Sequence, residues 1–82
     1  MTDSRAPHPA IRQLVAELTM LRLVRGVTQE RIAARLDVTT ATVAKWEGGT
    51  RSPSSRHLAE LAAMLGCELA LVEAAPGEEA AR

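Results

Sequence analysis

Residue types that commonly carry covalent or metal chemistry are present in this chain, but their spacing defeats each use. Ser54, Ser55 and His57 bring hydroxyls and an imidazole close in sequence, as a nucleophile activated by a base requires. They lie at a helix start, with no orienting carboxylate at suitable spacing and too little chain to wall a cavity. Helix capping explains the serines better. Cys67 is the single cysteine, so it has no disulfide partner within the chain. With only His8 and His57 beside it, one chain cannot assemble a structural zinc site. No enzymatic activity, metal or cofactor is expected.

Aromatic chemistry is equally sparse. Trp46 is the one tryptophan and there is no Phe or Tyr, so no platform exists for stacking unpaired bases, which argues against single-strand binding. Trp46 itself reads as core. Charge is more informative. The ten basic and ten acidic side chains cancel overall, but residues 1–56 carry nine basic against five acidic, while residues 57–82 carry Arg82 against five glutamates. Such a split lets one end approach a polyanion while the other holds a different partner. No apolar run approaches the roughly 18 residues of a membrane span, and no secretion-signal layout opens the chain. A protein of the reducing cytoplasm is the expectation.

Eighty-two residues make one domain at most. Residues 1–9, with Pro7 and Pro9 around His8, read as a flexible N-terminal arm, and 74–82 as a flexible tail. Between them, residues 10–73 form the folded unit. Ile11, Leu14, Val15, Leu18 and Leu21 follow helical spacing up to Gly26. Thr28 can cap a short helix, Gln29 to Leu36, bearing Ile32, Ala33 and Leu36 on one face. Thr39 can cap another, Thr40 to Glu47, turning Val43 and Trp46 inward before Gly48 and Gly49. Pro53 and Ser54 open a fourth, with Leu58, Leu61, Ala62 and Leu65 at helical spacing, closed by Gly66. Glu68 to Glu73 alternates loosely, so 67–73 is read as a short strand that must pair with its copy in a second chain. The alternative is a short fifth helix packed on the first.

Two short helices joined by a three-residue turn suggest helix-turn-helix geometry, in which the second helix is presented to the DNA major groove. The residues Leu21-Arg22, Gly26-Val27-Thr28-Gln29, Ile32-Ala33, Leu36, Val38-Thr39, Val43, Trp46-Glu47 and Gly49 resemble the Cro/repressor (XRE) helix-turn-helix family. So do Pro53-Ser54, Leu58, Leu61-Ala62 and Leu65-Gly66, extending the resemblance over roughly residues 18 to 66. Ala33 falls where the two helices cross and where a larger side chain would tilt the second. One departure is Asp37, at a turn position usually filled by glycine, where positive φ is needed; Asp tolerates it better than most.

The resemblance implies an all-α, compact domain of four to five helices, to which the strand read from the alternation of 67–73 would add a dimerisation element. It implies roles residue by residue. Thr40, Ala41, Ala44 and Lys45 match the groove-facing positions of the recognition helix; Lys45 can donate to guanine, while Thr40 and Ala41 offer methyl contact to thymine. Gln29, Thr39, Thr42, Arg51 and Arg56 would contact phosphates. Arg22 and Glu47 match a paired arginine and glutamate that tie helix 1 to the end of helix 3. Met20 and Leu23, apolar where such proteins usually show polar residues, join Leu69 and Leu71 as the expected dimerisation surface. The function implied is a sequence-specific double-stranded DNA-binding regulator, a repressor binding a palindromic operator as a homodimer. The alternative is an antitoxin or adaptor that binds a protein partner, such as a toxin, through its C-terminal part.

Overall fold

Every helix among the described residues starts at a residue whose side chain takes up an otherwise free backbone N–H. In the computed structural model, which describes residues 6–73, there are four helices: α1 (Pro9–Val24), α2 (Gln29–Leu36), α3 (Thr40–Gly48) and α4 (Ser55–Met64). The Thr28 hydroxyl accepts from Arg31 N, Thr39 from Thr42 N and Ser54 from His57 N, the standard arrangement of an N-cap. His8 does the same for α1, its Nδ1 accepting from Ala10 N at 3.0 Å, with Pro9 as the first helical residue. The expected arm therefore loses its last residue to α1. Residues 1–5 of that arm and the whole expected tail, 74–82, lie outside the described residues.

Helix ends are as local as the starts. After α1 the chain closes a Schellman turn: Val27 N donates to Arg22 O and Gly26 N to Leu23 O, with Gly26 at φ 69. After α2 the same left-handed position falls on Asp37, at φ 60 and ψ 46, and Val38 N donates back to Ala33 O. Asp37 is the one non-glycine residue with positive φ among those described. Its short polar side chain makes that conformation tolerable, which lets the turn do without glycine.

The four helices close on one core. Val15 and Leu18 of α1, Ile32, Ala33 and Leu36 of α2, Val43 and Trp46 of α3, and Leu58, Leu61, Ala62 and Leu65 around α4 are all buried. α2 packs on α3 and on α4, and α1 on α3. Ala33 is buried at the centre of this arrangement, so enlarging it would push α3 outward at a cost of about 1 to 3 kcal/mol. Trp46 is core rather than surface, and its ring is covered by His57 with centroids 5.2 Å apart.

The C-terminal segment departs from expectation. Residues 67–73 form neither the short strand nor the fifth helix, and no strand occurs among the described residues. Cys67 N donates to Ala62 O at 2.8 Å, completing the turn after α4, and no ladder follows it. The physical reason is pairing: a strand needs another backbone alongside, and none from the described residues lies there. A fifth helix fails because a short segment has too few bonds to offset its nucleation. Leu69 is partly covered at 43% exposure, whereas Leu71 is fully exposed at 102%.

Candidate nucleic-acid interface

α3 owes its placement to its two faces. Val43 and Trp46 point into the core, and Ala41, Ala44 and Lys45 stand exposed on the opposite side, with Thr40 half-exposed at the helix start. The outer face is therefore low and smooth except for one long donor. The bare methyls of Ala41 and Ala44 let another surface approach the helix backbone closely. Lys45 supplies the reach.

The start of α3 carries a pair of hydroxyls. Thr39 and Thr42 stand 2.8 Å apart, and the Thr39 oxygen also accepts from Thr42 N. If Thr42 donates to Thr39, the Thr39 proton is left for an outside acceptor, beside a helix N-terminus that favours anions.

Glu47, near the other end of α3, gathers three helices. Arg22 of α1 grips it with both edges of its fork, Nε to Oε2 at 2.6 Å and Nη2 to Oε1 at 2.9 Å. The two side chains are only 11% and 14% exposed. Arg22 also donates from Nη1 to Val27 O at 2.9 Å, binding the α1–α2 turn to the same centre. Gln29, the first residue of α2, donates from Nε2 to Glu47 Oε1 at 2.9 Å.

The remaining residues of interest are spread around this centre. Arg51 is exposed in the α3–α4 loop, whose path is set by its own N–H donating to Lys45 O. Arg56 is exposed on α4, with Nε 3.4 Å from Glu60 Oε2, a loose pair open to water. Met20 and Leu23 are exposed on α1, and Val24 and Val72, which sequence reasoning passed over, are exposed as well. Leu69 and Leu71 line, with Leu14 and Glu17, a groove of about 570 Å³ between α1 and the C-terminal segment.

Two contacts were invisible in the sequence. One is the Gln29 to Glu47 bond, across eighteen residues. The other places Arg12 of α1 over Gly49 at the end of α3. No local pattern signals either, because each depends on how helices cross.

A helix-turn-helix family model matches residues 18–72, well over half of the chain, from the middle of α1 through all of α2, α3 and α4. No curated protein and no solved structure matches.

Proposed function

Since the chain belongs to the Cro/repressor-type helix-turn-helix family and is thus a DNA-binding transcriptional regulator, we propose that it is a repressor acting as a homodimer on a palindromic operator. The observation that carries this reading is the division of α3 into a buried face, Val43 and Trp46, and an exposed one, Ala41, Ala44 and Lys45. Lys45 donates to guanine N7 or O6, and the methyls of Thr40 and Ala41 meet thymine methyls beside groove-facing Ala44, giving direct readout in the major groove. Gln29, Thr39, Thr42, Arg51 and Arg56 hold the flanking phosphates and fix the register without reading sequence.

One short helix reads only a few base pairs, too few to stand out against a genome of competing sites. Two copies reading half-sites about one helical turn apart meet that need, and occupation of the operator blocks polymerase sterically. Leu69 and Leu71, with Met20 and Leu23, supply the surface between copies. The protein works in the cytoplasm, where its DNA is; no helix among the described residues is long and apolar enough to cross a membrane.

Selection of bound DNA from a random pool tests the reading. An enriched palindrome would report site, symmetry and spacing together, and a pool that enriches nothing would refute it. A second reading, an antitoxin or adaptor that holds a protein such as a toxin, is favoured by the exposed apolar side chains Leu69, Leu71 and Val72. It shares the fold, so co-purification of a partner chain, rather than DNA selection, distinguishes it.

A further inference from the structure

The carboxylate of Glu47 serves two masters. Its Oε1 accepts from Arg22 Nη2 and from Gln29 Nε2, each at 2.9 Å, while Oε2 accepts from Arg22 Nε. An ionised carboxylate can only accept, so it selects the nitrogen side of the Gln29 amide and stops the rotation that would otherwise exchange its donor and acceptor ends. One N–H of that amide is then held inward, and the other diverges from the carboxylate.

Resting on the reading of Gln29 as a phosphate contact, we propose that Glu47 is the positioning residue for that contact. From α3 it holds the amide of α2 so that the second N–H is offered to a DNA phosphate. Arg22 is what permits an acidic side chain so near a polyanion: its two-pronged pairing cancels a charge that would repel the phosphate well within the screening length of about 8 Å. The arrangement ties gripping to reading. Glu47 belongs to the recognition helix, so the point at which α2 seizes the backbone moves with the helix that enters the groove.

This device has a signature in salt. Gln29 is uncharged and releases no counterion on meeting a phosphate, so losing it lowers affinity by the same factor at every salt concentration, unlike the loss of Lys or Arg.

The test uses the full chain and the DNA site that its own selection yields. Gln29→Ala removes the donor; Glu47→Asp keeps the charge for Arg22 but withdraws the carboxylate from Gln29. Each should weaken binding about three- to tenfold, leave the log-salt slope unchanged, and combine so that the double variant is no weaker than the weaker single one. A methylphosphonate scan along the half-site should find one position that weakens the wild type and neither variant. Losses that multiply, or a position silenced in Gln29→Ala but still felt in Glu47→Asp, would overturn the proposal. Side-chain amide relaxation by NMR keeps it testable should Glu47→Asp fold poorly: in the free wild type the Gln29 amide should be as ordered as the backbone, and a freely mobile one overturns the proposal. A wild type that binds no DNA brings down the underlying reading and this inference together; wild-type binding that Gln29→Ala leaves intact overturns this inference alone.

Discussion

The guanidinium of Arg12 lies against Gly49, its Nε and Nη2 each 3.2 Å from where a Cβ on that glycine would stand. Gly49 sits in the left-handed region at φ 83, where Thr50 N and Arg51 N turn back onto Lys45 O and end α3. A positive charge over the last turn of α3 is also placed to oppose the negative end of its dipole. Two separate demands thus fall on one residue.

Gly49→Ala separates them. The guanidinium is the far end of a flexible side chain and can yield, so the conformational penalty should dominate, about 1 to 2 kcal/mol by thermal or urea melting. Combining it with Arg12→Ala should recover almost nothing. Full recovery in the double variant would show that crowding, not φ, is what excludes a side chain there.

Arg22→Ala and Glu47→Ala should each cost about 3 kcal/mol, because each strands a charge that is nearly nine-tenths covered and was matched by two hydrogen bonds. Replacing both by leucine should cost less than either single change, since no unpaired charge is left behind. Denaturant melts measure this directly, and single variants that melt like the wild type would mean that the pair contributes nothing net.

What could be read from the chain before any coordinates follows from range. Thr28, Thr39 and Ser54 announce their helices because a cap bonds within three residues, whereas the positive φ of Asp37 followed from the family resemblance, which puts glycine at that turn. The core positions Ile32, Ala33, Leu36, Val43 and Trp46 follow from helical period. Gln29 bonding to Glu47 and Arg12 over Gly49 do not, for they join helices whose crossing angle no short pattern encodes. Residues 67–73 stand apart for a related reason. Their alternation has the form of a strand, but a strand is a property of two backbones, and only one is supplied by a single chain.

Lys45 and Arg51 should fail in different ways. Lys45→Ala removes a donor from the exposed face of α3 and should relax preference at one base position, costing about 1 to 3 kcal/mol on the selected site. Arg51→Ala removes a charge from the α3–α4 loop and should weaken all sequences alike while flattening the salt slope by about one. Binding titrations on selected and scrambled DNA at several salt concentrations distinguish the two. Equal, salt-insensitive losses would contradict the division between reading and gripping.

Assembly is where the single chain is least complete. From Cys67 to Glu73 the backbone makes no ladder, Leu71 and Val72 are uncovered, and the groove against Leu14 and Glu17 stands open beside them. An extended segment of this kind gains both backbone partners and apolar cover by lying antiparallel to its own two-fold copy, the geometry of strand addition. Met20 and Leu23 extend the apolar surface along α1. Deleting residues 67–82 should therefore leave the four helices folded, since residues 67–73 contribute no fully buried side chain to the core, and should yield a monomer with much weaker operator binding. Sedimentation decides it. A full-length chain that stays monomeric at tens of micromolar, roughly the range where a weak dimer would show, and still binds a single half-site tightly would remove the case for a two-fold assembly.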